Sequence, residues 1–239
     1  MTEVIIAVAA VFVILLIAVF SSRSRIKTLY LKYLKVGNQA NITGKELAAI
    51  SIEKLNLPNL NLAVADGELI DGYSAKTKTL IMSRDICNTA SLASLTIVAH
   101  ELGHAVQDRQ GNLLFKLVNF LNRLTRFTTK LILPLLLVGI IMLFPWFNTF
   151  DKGLILIYIA AGLFGLLILV KLLTIPVEYN ASHKALIYLK ENNFLTRNEI
   201  GRAKKLLRVA ALTYIASLFD GFLFFGNAVK QAFRNNKKK

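Results

Sequence analysis

Cysteine, acidic residues and histidine are all scarce in this 239-residue sequence. The single cysteine, Cys87, excludes an internal disulfide framework. There are 14 Asp and Glu against 29 Lys and Arg, so the net charge is +15, and only three residues are His. Hydrophobic residues make up 55% of the chain, above the roughly 45–50% of ordinary soluble domains. This content excludes a disordered chain and argues against a plain soluble globule.

Charged residues are absent from three long stretches, Val4–Ser22, Leu131–Phe150 and Leu154–Val170. A helix needs about 17 to 25 mainly apolar residues to cross a bilayer, and all three stretches satisfy this condition. A fourth run, Val209–Val229, is interrupted only by Asp220. We therefore expect a mostly α, integral membrane protein with three to four transmembrane helices and a small α+β domain.

The order of these segments predicts five regions. Residues 1–22 form an anchor, 23–130 a soluble domain and 131–170 a transmembrane helical hairpin. Residues 171–208 form two further helices, and 209–239 form a fourth apolar helix with a basic tail. Because basic residues follow the first apolar run rather than precede it, a retained anchor is favoured over a cleaved signal peptide.

The placement of Lys and Arg predicts the orientation. Basic residues cluster within 23–35, 116–130 and 171–208, whereas the tip of the hairpin has one, Lys152. The positive-inside rule then places residues 23–130 and 171–208 on the cytoplasmic side of a multi-pass cell-membrane protein. A basic tail after a spanning fourth run would break this rule. The lipid bilayer accounts for the basic excess, and no nucleic-acid-binding motif accompanies it.

Local signals predict the elements of the soluble part. Thr43 and Glu46 fit a capping box, so a helix should run over Gly44–Asn56. Two strands are expected over Asn61–Ile70 and Thr77–Met82, joined by hairpin-type residues, with the second strand at an edge of the sheet. A helix should begin near Ser91 and end near Gln110, before Gly111.

That last helix contains the sequence His100-Glu101-Leu102-Gly103-His104. Residues four apart share one helix face, so the two imidazoles can bind one Zn²⁺. Glu101 is offset by about 100° and can take a proton from a metal-bound water. The pattern is that of a zincin, so 23–130 should form a zincin-like catalytic domain, and the helices of 171–208 should complete its active site. Three fixed residues also occur by chance in about one chain in two hundred of this length.

A catalytic zinc requires a third protein ligand, and three residues are candidates. His183 is the remaining histidine, and Asp108 lies one turn after His104. Ligands at positions i, i+4 and i+8 of a straight helix span about 12 Å, however, which is too far for one ion. Glu178 is better placed, but an acid after Pro176 is also typical of a first helical turn. Spacing alone leaves the choice open.

Three segments carry a resemblance to a known family. They read HELGHAVQ at His100–Gln107, TIPVEYNASHKAL at Thr174–Leu186 and AALTYIA at Ala210–Ala216. With the order of apolar segments, they resemble the YugP-like neutral zinc metallopeptidases of bacterial membranes over nearly the whole chain. More distantly, the layout is similar to the HtpX-like membrane gluzincins. In relatives a loop often reads Asp-His-Tyr-Asp-Pro, whereas here Asp71-Gly72-Tyr73-Ser74-Ala75 is interpreted as a turn rather than a site.

The resemblance implies a membrane-bound zinc metalloendopeptidase with Zn²⁺ as its cofactor. His100, His104 and Glu178 would be the metal ligands, Glu101 the general base, and Asn180 a residue that supports a ligand histidine. Peptides or proteins, including membrane proteins, would be the substrates. The alternative is a non-enzymatic membrane scaffold with a structural or idle zinc site, which would favour a fourth protein ligand.

Overall fold

The computed structural model describes residues 24–144 and 149–216, which are mostly helical with one small three-stranded sheet. The predicted anchor and most of the fourth apolar run lie outside the described residues. The first described helix, α1, is seen over residues 24–34. The others are α2 Gly44–Lys54, α3 Arg84–Asn88, α4 Leu92–Arg109, α5 Leu113–Met142, α6 Phe150–Glu191 and α7 Arg197–Ala216.

Helix α2 confirms the predicted capping box. The Thr43 hydroxyl accepts a hydrogen bond from the backbone N–H of Glu46, and the Glu46 carboxylate accepts one from the backbone N–H of Thr43. These two bonds satisfy donors that a helix start leaves without intrahelical partners. The helix ends at Lys54, two residues earlier than predicted, because Asn56 adopts a positive φ of 49°.

The sheet differs from the predicted hairpin. Strand β1, Asn61–Ala65, pairs in parallel with β3, Thr79–Ser83, while the short β2, Gly72–Ser74, pairs with β3 in antiparallel. The order β1-β3-β2 makes β3 central, so the prediction that Thr79–Met82 forms an edge strand is wrong. Residues 66–71 connect β1 to β2, which lie on opposite sides of β3. Part of the predicted turn is itself β2.

Helix α4 forms as predicted and lies in the centre of the core. Ser91 caps its start by accepting from the N–H of Ser94, and Gly111, with a φ of 68°, follows the C-terminal Gln110. Leu95 and Leu102 are fully or almost fully buried. They belong to a core of buried side chains from α1, α2, α3, α4, α6 and α7, which includes Tyr30, Leu47, Ile86, Leu92, Val98, Leu189 and Leu206.

The described residues divide into two compact units. One combines 24–116 with 175–213 and contains the sheet, α4 and the C-terminal part of α6. The other combines 117–144 with 149–174 and contains most of α5 and the N-terminal part of α6. All residues of the candidate metal centre belong to the first unit.

Helices α5 and α6 are long and apolar enough to cross a membrane. Helix α5 includes 131–142 of the first predicted run of the hairpin, and α6 includes the whole of the second run, Leu154–Val170. Helix α5 begins at Leu113, 18 residues before the predicted start at Leu131. Helix α6 continues through Pro176, so the prediction that a new helix starts there is wrong. Proline removes one backbone donor and disfavours the helix interior, but the helix extends beyond it on both sides.

The second unit is a tightly packed helical hairpin. A Cβ atom added at Gly153 would lie 2.7 Å from the carbonyl oxygen of Gly139, so the backbones of α5 and α6 are in contact there. The Thr149 hydroxyl also donates to the carbonyl of Met142 across the connection. Away from this tip, buried positions recur every seven residues on both helices, at Val118, Thr125 and Ile132 and at Ala160, Leu167 and Thr174. This repeat is that of two antiparallel helices packed along their length.

Candidate metal centre

The structure brings His100 and His104 of α4 together with Glu178 of α6. Nε2 of His100 lies 3.1 Å, and Nε2 of His104 3.5 Å, from the same carboxylate oxygen of Glu178. One ligand atom from each residue lies within 4.8 Å of the others. His104 and Glu178 are 8% and 7% exposed, so these polar groups meet in a largely buried place.

These separations fit a zinc ion. Nitrogen and carboxylate oxygen ligands lie about 2.0–2.2 Å from zinc, so two ligands of a tetrahedral site are about 3.3–3.5 Å apart. The two measured distances of 3.1 and 3.5 Å bracket this value closely. Two imidazoles and one carboxylate are also a ligand set found in catalytic zinc sites.

The second nitrogen of each imidazole has its own partner. Nδ1 of His104 lies 2.9 Å from Oε1 of Gln107, and Nδ1 of His100 lies 3.2 Å from the hydroxyl of Ser182. An amide oxygen can only accept, so Nδ1 of His104 carries the proton and donates it. The neutral ring then presents an unprotonated Nε2 to the Glu178 carboxylate. Two electron-rich atoms at this separation require a cation, either a proton or a metal, between them.

Gln107 is a residue that the sequence reasoning missed. Asn180 was expected to support a ligand histidine, but its side-chain oxygen accepts from Nε2 of Gln107 at 3.0 Å. Nε2 of Gln107 also donates to the carbonyl of Val177 at 2.9 Å. Asn180 is therefore one step further from His104 than predicted. The available signal was a polar residue one turn after His104, on the same face of the helix as this histidine.

Glu101 lies beside this group, one residue after His100 on α4. Burial raises the pKa of its carboxyl group, while the two ligand histidines oppose the shift. The negative charges of Glu178 and Asp71 add to the increase. A carboxylate with a raised pKa is a better proton acceptor, which is the property required of a general base near neutral pH.

The pKa of His104 also indicates that a cation belongs between this imidazole and the Glu178 carboxylate. Burial by itself lowers the pKa of this imidazole, but the hydrogen bond and the charge of Glu178 outweigh burial and raise the pKa to about 9. The ring of Phe115 stacks on the imidazole with a centroid distance of 5.7 Å. The aromatic ring covers one side of His104 and fixes the plane in which its nitrogens lie.

The other candidate third ligands are engaged elsewhere. Asp108 accepts a hydrogen bond from the Tyr73 hydroxyl at 2.6 Å and forms an ion pair with Lys78. His183 is exposed and stacks in parallel on Tyr179, which is itself 74% exposed. Tyr73 belongs to β2, so this part of the predicted turn is a strand anchored to α4.

Gly103 explains how α4 and α6 approach closely enough for these side chains to meet. A Cβ atom at this position would lie 2.7 Å from the carbonyl oxygen and 3.1 Å from the Cα atom of Ala181. Ala181 is fully buried, one turn after Glu178 on α6. Glycine is therefore required at position 103 for close backbone packing, although it costs about 1 kcal/mol of helix stability relative to alanine.

Comparison with known proteins agrees with this arrangement. The model of the family described as "Putative neutral zinc metallopeptidase" matches residues 7–229. The chain belongs to this family. It is 29% identical over 212 residues to the "Putative membrane protease YugP" of Bacillus subtilis (strain 168), a match that covers 84% of this chain and 87% of the relative. No solved structure matches the chain.

Membership of this family implies Zn²⁺ as the cofactor and a peptide or protein as the substrate. The relative is named as a membrane protease, and α5 and α6 have the length and composition of membrane-spanning helices. A zinc peptidase is therefore the general class to which this chain belongs.

Proposed function

We propose that the protein is a membrane-bound zinc metalloendopeptidase whose zinc is held by His100, His104 and Glu178. The observation that carries this proposal is the pair of imidazole nitrogens facing one carboxylate oxygen at 3.1 and 3.5 Å. The Gln107 oxygen accepts from Nδ1 of His104, so the neutral ring has its lone pair on Nε2, and a cation belongs between Nε2 and the Glu178 carboxylate. The family match supports zinc as that cation.

Zinc bound by these residues would polarise a scissile carbonyl and lower the pKa of a coordinated water to about 7. Three protein ligands leave one position open for water or substrate, as in catalytic zinc sites. The metal-binding group among the described residues has three members, and neither Cys87 nor His183 belongs to it. This count favours catalysis over the structural zinc of a non-enzymatic scaffold.

Glu101 performs the proton transfers in this proposal. Its carboxylate accepts a proton from the attacking water and then donates that proton to the leaving amine nitrogen. The raised pKa of Glu101 makes its carboxylate a stronger base in the first step, and the basic amine nitrogen takes the proton in the second. A structural zinc site has no need of such a residue.

We further propose that membrane proteins are among the substrates, with the site on the cytoplasmic side. Glu178 follows the charge-free run Leu154–Val170 by only eight residues, and basic residues cluster in 171–208. The sequence thus places a metal ligand shortly after a candidate span and among residues that favour the cytoplasm. The name of the Bacillus relative supports an association with membranes.

The test measures bound zinc and proteolysis in the purified full-length protein. We compare wild type with Glu101→Gln and Glu178→Ala, and use Glu53→Gln, an exposed acid on α2, as the matched control. Wild type, Glu101→Gln and the control should each bind one zinc ion, whereas Glu178→Ala should bind it weakly. Only wild type and the control should cleave protein substrates.

Two results would overturn the proposal. Wild type that binds no zinc after reconstitution would exclude a zinc peptidase, and full activity of Glu101→Gln would exclude Glu101 as the base. Substrate class is tested separately in liposomes of defined composition. Cleavage of a soluble peptide, but not of the same sequence displayed next to a transmembrane segment, would contradict the proposed membrane substrates.

A further inference from the structure

Gln107 makes three hydrogen bonds although only 1% of its surface is exposed. Its Oε1 lies 2.9 Å from Nδ1 of His104, and its Nε2 donates to the carbonyl of Val177 and to Oδ1 of Asn180. Both amide hydrogens and the amide oxygen are therefore used. Gln107 thus links a ligand imidazole on α4 to the segment of α6 that carries Glu178.

The direction of each bond fixes the orientation of the amide. Val177 offers a backbone oxygen, and Oδ1 of Asn180 is also an oxygen, so the NH₂ group of Gln107 must point toward α6. The amide oxygen is then directed at His104, where it can only accept. The Nδ1–H tautomer of His104 follows, and with it an Nε2 that is free to bind a metal.

We propose that Gln107 is the positioning residue of the metal centre, which holds His104 in the metal-binding tautomer through its amide oxygen. Because its NH₂ group is bound on both sides of Glu178, at positions 177 and 180, the same side chain keeps that carboxylate in register with His104. This inference rests on the proposed function and extends it to a residue that does not touch the metal itself.

The oxygen and the NH₂ group of the Gln107 side chain have different roles, which can be tested separately. The oxygen determines the tautomer of His104, whereas the NH₂ group fastens α4 to α6. Gln107→Glu keeps an acceptor for Nδ1 but removes the donors to Val177 and Asn180. Gln107→Met keeps approximately the same volume and removes both functions. Gln110→Met is the matched control, because Gln110 ends the same helix and its amide accepts only from the exposed Lys184.

The experiment measures zinc affinity by chelator competition and the visible spectrum of the Co²⁺-substituted full-length protein. Loss of a residue that orients a ligand imidazole typically costs about 10- to 100-fold in metal affinity. We expect Gln107→Met to lose zinc affinity by this factor, with a changed Co²⁺ spectrum. Gln107→Glu should bind zinc at least about fivefold more tightly than Gln107→Met, because its acceptor is retained. The control should match wild type.

Peptidase kinetics give a second readout. Gln107→Met, loaded with saturating zinc, should show a reduced kcat with little change in KM, because the metal environment changes while the substrate-binding surface does not. Unfolding of the metal-free proteins reports any general loss of structure. If Gln107→Met fails to fold, the comparison of Gln107→Glu with wild type tests the proposal. The carboxylate of Gln107→Glu still accepts from His104, so this variant should retain zinc and show a shifted Co²⁺ spectrum.

The inference is overturned if Gln107→Met binds zinc within about twofold of wild type, or if Gln107→Met and Gln107→Glu are equally weak. The second outcome would mean that only the fastening of α4 to α6 matters. Failure of the proposed function looks different, because wild type itself would then bind no zinc or cleave no protein.

Discussion

The close approach of α4 and α6 at Gly103 gives the sharpest test of the site. In Gly103→Ala the new Cβ atom would lie 2.7 Å from the carbonyl oxygen of Ala181, about 0.7 Å short of the 3.4 Å at which ordinary contact begins. The obstacle is backbone rather than a flexible side chain, so the two helices must separate. His104 is the next residue on α4, and Glu178 lies one turn before Ala181 on α6.

The substitution is expected to affect both folding and zinc binding. Overpacking costs about 1–3 kcal/mol, and the higher helix propensity of alanine returns up to about 1 kcal/mol. The net loss of unfolding free energy is therefore about 0–2 kcal/mol. Metal sites, in contrast, tolerate deviations of only about 0.2 Å in ligand distance. A shift of several tenths of an ångström should weaken zinc binding at least about tenfold.

The assay combines zinc affinity by chelator competition with thermal unfolding of the metal-free protein. Gly201→Ala is the matched control, because Gly201 lies within α7 and an added Cβ atom would have open space around it. This control should gain about 0.5–1 kcal/mol and keep its zinc affinity. If Gly103→Ala behaves like Gly201→Ala in both measurements, the reasoning about close helix packing is refuted.

Three further predictions follow from other contacts. Because Glu178 raises the pKa of His104 to about 9, zinc must displace a proton from this imidazole below that pH. The zinc affinity should therefore rise about tenfold per pH unit up to pH 9 and then become constant. An affinity that does not change from pH 6 to 10 would contradict this prediction. Tyr73→Phe removes a 2.6 Å hydrogen bond to the largely buried Asp108 carboxylate and should cost about 1–3 kcal/mol in chemical unfolding; unchanged stability would exclude a stabilising role for this bond. Gly153→Ala places a Cβ atom 2.7 Å from the Gly139 carbonyl oxygen. The detergent-solubilised protein should therefore lose about 1–3 kcal/mol of unfolding free energy and unfold at a lower temperature. An equal or higher unfolding temperature would argue against this contact.

Elements whose ends are defined by local chemistry were predictable from the sequence. The capping box at Thr43 and the cap at Ser91 require only side chains within three residues of the helix start. Likewise Gly111 follows α4 in the left-handed conformation that glycine favours. These signals do not depend on the rest of the fold, so α2 and α4 begin where the sequence indicated.

The order of the strands was not predictable in this way. Whether Asn61–Ala65 pairs with Thr79–Ser83 in parallel or as a hairpin depends on where the intervening chain packs. The three-residue strand Gly72–Ser74 is too short to show an alternating pattern, and Tyr73 holds it against α4 through a contact with a residue 35 positions away. Tertiary contacts of this kind override local turn propensity.

The candidate site was predictable to a different degree in its two halves. The helical spacing of His100 and His104 already places both imidazoles on one face of α4. The position of Glu178 depends on how α6 crosses α4, which spacing did not decide and the family resemblance suggested. Gln107 was missed because its role depends on two acceptors from α6, and a glutamine within a helix gives no local sign of them.

The hairpin of α5 and α6 has a consequence for the folding of the site. His100 and Glu178 are 78 positions apart in the chain, so their meeting requires closure of a long loop. For the roughly 60 residues between the two parts of the site-bearing unit, a flexible chain would lose about 3–4 kcal/mol of entropy on closure. In an antiparallel hairpin, however, residues 117 and 174 are held at the same end, and the loop is in effect already closed. Early formation of the Gly139–Gly153 contact would therefore accelerate assembly of the two parts, and no polypeptide that is still shorter than 178 residues can possess the complete ligand set.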